Sequence, residues 1–508
     1  MGKRQIITVV LVLIGLSTVL GSLYTLKRNY QTNMAIPKNH NIRILENFWP
    51  TFHVDPTALQ TAGDWNALQN LYATLVESGG NKTVRAALAE RWEHDPQGKI
   101  WTFYLRPNLR WSDGSSMTTK QVVASLNRAH HGTTHTDLSR FVREIREESE
   151  NRIVFTLDKT PPNFLTLLSF VDSAITHPQA YAGDKFTWDA PSSGAFRVVK
   201  YENEELTLEQ NPNYWDTSVN RIPKAALVKG NGNAKDLDTL LAGDWDGCQL
   251  ASGTIDQESQ IDALKTKYRV LVGSPDFLST LTFSKKRTTE GRLPLRWRQF
   301  ILKSVYSKIW QADSNRESHR AVGLRPAGSL GSLSEAQFDQ ILAALPSTRP
   351  NDFPGKLEVL VSTRFHPRSI VKRMLDALKA TTGAEVVEIL ATGNQFQTLQ
   401  EKGNFDLEVN FLGASEADPD TAWRIYNDSV FAEPAATKEQ LDQAQLEQNH
   451  DKRVLLYQAM EKSALDRALY VPIRNEIPYL VLSSRVEMDP AQASDWGLQL
   501  FQLRLKGE

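Results

Sequence analysis

Ala87-Leu88-Ala89-Glu90-Arg91-Trp92-Glu93, then Trp101-Thr102-Phe103-Tyr104-Leu105-Arg106-Pro107-Asn108-Leu109-Arg110-Trp111-Ser112-Asp113-Gly114, then Met117-Thr118-Thr119-Lys120-Gln121-Val122-Val123, is the stretch on which the fold is read. Residues 100–105 have the β-rich composition of a strand. Asp113-Gly114 is a tight-turn pair, because Gly accepts a positive φ and the Asp side chain can bond the backbone ahead of it. Thr118 stands where an N-cap belongs, and Val122, Val123 and Leu126 then fall on one face of a helix over residues 120–129. A strand, a turn and a capped helix follow one another within forty residues.

Working outward, residues 152–157 predict a second strand. Pro191-Ser192-Ser193-Gly194-Ala195-Phe196-Arg197 leads into a hairpin of residues 196–201 and 205–209, which ends at Gln210-Asn211-Pro212-Asn213-Tyr214-Trp215. Upstream, residues 43–45 read as a strand. Residues 65–76 read as an amphipathic helix, with Ala67, Leu68, Leu71, Tyr72 and Leu75 at i, i+3, i+4 spacing. Downstream, residues 270–272, 280–283, 356–361 and 407–411 predict strands, and 297–310 and 367–381 predict helices. Residues 347–354 are Pro-rich and read as a surface connector. Strands alternating with helices argue for α/β layers.

The first stretch closely resembles the signature of the peptide/nickel solute-binding proteins, the family 5 extracellular receptors of ABC importers. That signature runs Leu-Ala-x-x-Trp, Thr-Phe-x-Leu-Arg, Trp-x-Asp-Gly and Thr-x-x-Asp-Val, here with the acid altered to Gln121-Val122. The second long motif resembles the family's Gly-Pro-Tyr hairpin and Asn-Pro-x-Tyr-Trp corner. Shorter echoes stand in the same order at Val54-Asp55-Pro56, Leu241-Ala242-Gly243-Asp244-Trp245-Asp246, Gly403-Asn404-Phe405-Asp406 and Ala417-Asp418-Pro419. Arg296 fits an Arg of the pattern, and residues 323–328 resemble the family's loop with Pro before Gly.

The resemblance implies a two-lobed periplasmic-binding-protein-like fold of class II, cluster C. Lobe I would take residues 40–72, 181–276 and 477–508, with an inserted subdomain at 73–180. Lobe II would take 277–476. Ligand would sit between the lobes and be enclosed by hinge closure. The implied partners are a peptide-like or other small polar ligand and an ABC permease and ATPase complex. The two long motifs are expected to be scaffold. The ligand is expected at Asp64 and Trp65, before the first helix, and at Phe411, Leu412, Ser415 and Glu416. In peptide receptors of the family an Asp four residues before the Pro pairs with the ligand's α-ammonium. Ser415 occupies that place here, and Glu416 stands one residue on. A buried ammonium needs a carboxylate, so another acid holds the amine or the ligand is not a free-amine peptide.

Lys3 and Arg4 precede a charge-free run from Ile6 to Leu26, closed by Lys27 and Arg28. Residues 1–29 therefore read as a signal peptide or an uncleaved membrane anchor, which places the rest outside the cytoplasmic membrane, in the periplasm or its equivalent. Ser22 stands where a lipidated Cys would, so no lipoprotein anchor is expected. An anchored chain would also suit a membrane-tethered ligand sensor of the same fold.

The 508 residues exceed what one core serves, and the net charge of −1 excludes a global field for nucleic acid. Cys248 is the sole cysteine, so no intramolecular disulfide forms. His130, His131 and His135 could suggest a metal, but a solvated loop is the plainer reading. Asp236, Asp238, Asp244 and Asp246 lack the closing Glu of a calcium loop and read as a solvated helix surface. No nucleophile elbow, zinc-protease, Walker or dinucleotide motif is present. The expectation is a monomeric binding protein without catalytic residues, metal or cofactor.

Overall fold

The computed structural model describes residues 41–46, 55–58, 62–79, 83–131, 138–182, 186–217, 222–230, 235–250, 258–273, 277–311, 320–362, 368–413, 419–488 and 499–506. The expected leader or anchor, residues 1–29, lies outside them. No helix among the described residues is long and apolar enough to cross a membrane. Within the unit 42–508 the fold is mixed α/β and is built on three main sheets.

The first is seven-stranded, in the order Arg269–Val272, Tyr479–Leu482, Gly247–Leu250, Asn41–Glu46, Lys224–Lys229, Glu205–Gln210 and Phe196–Glu202. The second has five strands, in the order Glu385–Ala391, Lys356–Ser362, Leu407–Gly413, Phe277–Phe283 and Tyr470–Glu476. The third is a four-stranded antiparallel sheet of Ala89–His94, Ile100–Leu105, Arg152–Leu157 and Val142–Ser149. Nine of these strands track an expected segment to within three residues, because alternating burial and β-rich composition speak for themselves over short runs. Ala89–His94, Val142–Ser149, Lys224–Lys229, Gly247–Leu250, Glu385–Ala391, Tyr470–Glu476 and Tyr479–Leu482 answer to no expected segment.

The two long motifs meet in space. Ser112 N–H donates to Ser192 O at 3.0 Å, Ser192 N–H to Ser112 Oγ at 2.9 Å, and Asn213 Nδ2 to Ser112 O at 3.3 Å. Trp111 is fully buried, with its indole N–H on Gln121 Oε1 at 3.2 Å, and Asn211 Nδ2 holds Gly194 O at 2.8 Å. Gly114 sits at φ +87°, as the Asp-Gly turn requires. Together these residues form one joint between the four-stranded sheet and the hairpin of the first sheet.

That joint shortens the first helix. It spans Ala62–Leu71, starting three residues earlier and ending five earlier than its periodicity predicts. Gly194 N–H takes the carbonyl of Leu71 at 2.8 Å, and Ala73 N–H turns to Ser193 Oγ at 2.9 Å. Tyr72 and Leu75 stay buried, but Val76 opens the strand Val76–Ser78. A Cβ on Gly194 would lie 2.4 Å from the backbone carbon of Leu71, so only glycine permits this approach.

The acidic run also departs from expectation. Asp238 and Asp244 are exposed, but Asp236 and Asp246 are buried. Asp246 accepts from Arg43 N–H at 3.0 Å, from Ser483 Oγ at 3.0 Å and from Arg485 at 3.1 Å. It ties three distant segments of the first sheet together, and its enclosing partners stand more than 200 residues away in sequence.

Candidate functional site

Two chain segments pass between the first and second sheets. Arg269–Val272 of the first continues to Phe277–Phe283 of the second, and Tyr470–Glu476 of the second returns to Tyr479–Leu482 of the first. They run side by side, with Gly273 N–H on Pro478 O at 2.9 Å. A Cβ on Gly273 would stand 2.8 Å from the Pro478 ring, so the crossings approach closely.

Sheet register decides which side chains share a face beside this crossing. Phe277 pairs with Gly413 and Glu476, and Ser279 with Phe411 and Arg474. Strand alternation therefore sets Phe277, Ser279, Phe411, Arg474 and Glu476 on one face at the crossing end of the second sheet. The rings of Phe277 and Phe411 stack at 4.6 Å and 16°. Ser279 Oγ donates to Glu476 Oε1 at 2.5 Å.

Glu476 has no exposed surface, yet its Oε2 receives no hydrogen bond. Arg474 Nε lies 3.7 Å from that oxygen and is itself buried without an acceptor. Asn475 donates through Nδ2 to Arg320 O at 3.1 Å, while its Oδ1 is buried and unmatched. Three consecutive residues at the end of one crossing strand thus each carry a buried polar atom with an open valence. Such atoms cost free energy unless something supplies a partner. A carboxylate oxygen accepts from ammonium or amide N–H, a guanidinium donates to carboxylate or carbonyl, and the stacked rings offer an apolar wall. None of these groups forms a nucleophile–base pair.

Of the expected ligand residues, Phe411 joins this group. Leu412 points to the opposite face, where it is buried in the core of the second sheet against Leu278, so packing uses its side chain. Asp64 and Trp65 lie in the helix Ala62–Leu71, but their side chains are outside the described residues. Their neighbour Asn66 donates to Glu46 Oε1 at 3.2 Å, which puts this helix start at the end of the strand Asn41–Glu46. Ser415 and Glu416 lie outside the described residues, in 414–418. The near end of that loop is anchored, since the buried Tyr426 hydroxyl donates to Gly413 O. Burial pushes the Tyr426 phenol far above its ordinary value, so it remains a neutral donor.

Sequence reasoning missed Ser279, Arg474 and Glu476. A signal was present: Tyr470-Val471-Pro472-Ile473 reads as a buried strand, and Arg474-Asn475-Glu476 interrupts it before Ile477-Pro478. Among the described residues no group of three His, Cys, Asp or Glu side chains could hold a metal ion. His130 and His131 stack edge to face at 4.6 Å, and His135 lies outside the described residues.

Comparison with known proteins bears on the fold. The family model "Bacterial extracellular solute-binding proteins, family 5 Middle" matches residues 83–287. The periplasmic oligopeptide-binding protein OppA of Salmonella typhimurium is 24% identical over 220 residues, which cover 38% of this chain and 40% of that protein. The chain thus spans only about two-fifths of that relative's length in the alignment. The periplasmic murein peptide-binding protein MppA of Escherichia coli is 22% identical over 469 residues, covering 83% of this chain and 85% of that protein. In three dimensions, Haemophilus influenzae OppA in complex with the peptide RPPGFSPFR superposes with a TM-score of 0.75 at 17% identity, covering 93% of this chain and 100% of that one. That likeness extends a two-lobed fold across nearly the whole chain. Residues 83–287 thus match the model of family 5 of the bacterial extracellular solute-binding proteins, and the likeness over nearly the whole chain is one of fold.

Proposed function

We propose that this protein is an extracytoplasmic receptor that captures a small polar or peptide-like ligand between two lobes and delivers it to an ABC permease, without making or breaking a bond. Lobe I is residues 40–72, 181–276 and 477–508, with the inserted subdomain at 73–180, and lobe II is 277–476. The observation that carries the reading is the pair of open polar valences on Arg474 and Glu476, on the face of the stacked Phe277 and Phe411, where the two sheets join. Closure over that face brings a ligand's own donors and acceptors to atoms that otherwise lack them. The relatives support the role, since they are named as periplasmic binding proteins.

In this reading Glu476 supplies the acid that the Ser415 position lacks. Its Oε2 receives an ammonium or amide N–H, while Oε1 stays held by Ser279. Phe411 and Phe277 flank the ligand's apolar part. Asp64 and Trp65, at the start of the helix Ala62–Leu71, and Ser415 and Glu416 complete the ligand's surroundings, and the N-terminal segment directs the chain across or onto the membrane.

Native mass spectrometry of the protein purified from its own host without refolding tests this. The wild type is expected to carry a bound small-molecule mass. Glu476→Gln should lower its occupancy at least about tenfold, the scale for removing one partner of a buried charge pair, with an unchanged melting temperature. A folded wild type with no bound mass, or equal occupancy in both proteins, would sink the proposal.

A further inference from the structure

The crossing strands are not the sole connection between the part that holds the four-stranded sheet and the part built on the second sheet. Arg140, in the short helix Leu138–Phe141, reaches across to the helices Pro419–Ile425 and Lys438–Leu446. Its Nη1 lies 3.2 Å from Asp420 Oδ2. Its Nη2 lies 2.6 Å from Gln445 Oε1 and 3.3 Å from Asp442 Oδ1. Lys159 adds a 3.2 Å bond to Asp442 Oδ2, and Gln448 Nε2 donates back to Thr160 O at 2.7 Å. These partners are 280 to 305 residues apart in sequence.

A second guanidinium serves the same acceptors from the opposite side. Arg424 Nε binds Asp420 Oδ2 at 2.9 Å, and its Nη2 binds Asp442 Oδ1 at 2.7 Å and Gln445 Oε1 at 3.1 Å. Asp420, Gln445 and Arg424 all belong to the second-sheet part, and Asp420 and Gln445 are fully buried. Burial by itself pushes the Asp442 carboxyl up, but Arg424 and Lys159 outweigh it and hold it below its ordinary value.

This duplication matters physically. Removing the sole partner of a buried carboxylate is strongly destabilising. Here Arg140 can withdraw to water while Arg424 continues to pair with Asp420, Asp442 and Gln445. The contact can therefore be made and broken without stranding a charge. Asp420 is also the second residue of its helix, which begins directly after residues 414–418, the loop expected to meet the ligand.

We propose that Arg140, supported by Lys159, is a positioning residue that latches the inserted subdomain to lobe II, favouring the closed receptor. The latch rests on the two-lobe receptor reading above, but acts through contacts separate from the ligand's own.

The test uses the full chain with dyes at Glu150→Cys and Leu455→Cys, exposed positions on the two parts; the native Cys248 is buried and escapes labelling. Single-molecule energy transfer then reads the spacing of the two parts in the ligand-free protein. Arg140→Gln should raise the open-to-closed ratio about threefold, the size of a modest ion-pair contribution. Raising salt from about 0.05 M to about 0.5 M should open the wild type in the same direction and Arg140→Gln much less. Lys159→Gln should give a smaller shift of the same sign, and it keeps the test decisive if Arg140→Gln folds poorly. Variants and wild type with superimposable distributions and equal salt response overturn the latch while leaving the receptor reading intact. A lower melting temperature with an unmoved distribution also overturns it, since that marks a purely structural contact. One immobile spacing in every protein at every salt overturns the hinge reading itself.

Discussion

Glu408 carries a carboxyl into the strand Leu407–Gly413, where it is almost wholly buried. Burial raises its pKa from 4.5 to about 8, against the opposing pull of the Gln400 amide, which donates at 2.9 Å. Between those two values the native protein holds a proton that the unfolded chain has released. Stability therefore falls as pH rises through this window, by roughly 1.4 kcal/mol per pH unit, and levels off above it. Glu408→Gln keeps a partner for Gln400 and has no proton to lose. Urea unfolding from acid to alkaline pH should show the wild-type minus variant difference sloping across the window, with the variant the more stable at its upper end. Parallel profiles would remove Glu408 from the account. At this scale the sequence was legible in part. The glycine of Asp113-Gly114 announced its turn, but Asp246 read as solvated because Arg43 and Arg485, which enclose it, are distant in the chain.

Among elements, the helix Thr119–His130 shows how an altered motif keeps its structure. Gln121 stands where the family pattern has an acid. It is the N3 residue of a full capping box: Thr118 Oγ1 accepts from its N–H at 3.3 Å, and its Oε1 accepts from Thr118 N–H at 2.9 Å. The same oxygen receives the Trp111 indole. The amide oxygen thus meets the donors an acid would meet, without bringing a charge beside buried Trp111. Thr118→Ala should cost about 1 kcal/mol in chemical denaturation, the usual loss for an N-cap, while Thr118→Ser should cost little. Equal losses from both would point to packing of the threonine methyl instead. This helix and nine of the strands were legible because capping and alternation are local signals. The end of the helix Ala62–Leu71 was not, since Ser193 and Gly194 redirect its backbone from more than 100 residues away.

At the scale of the molecule, the order of motifs along the chain announced the two-lobed plan. The face shared by Phe277, Ser279, Phe411, Arg474 and Glu476 was not legible, because it exists only through the register of three strands drawn from separate parts of the chain. The first sheet has a comparable dependence. Tyr479–Leu482 lies between Gly247–Leu250 and Arg269–Val272, pairing with both. During synthesis those two strands emerge roughly 200 residues before the one that joins them, and until then each presents an unpaired edge, a template for mispairing. A chain stopped after Glu476 is expected to build its second sheet yet associate through those open edges, which light scattering during refolding would reveal. A truncated chain that stays dispersed and cooperative would argue otherwise. Tyr479–Leu482 is thus the keystone of the first sheet: until it emerges from the ribosome, that half of the sheet has no centre on which to close.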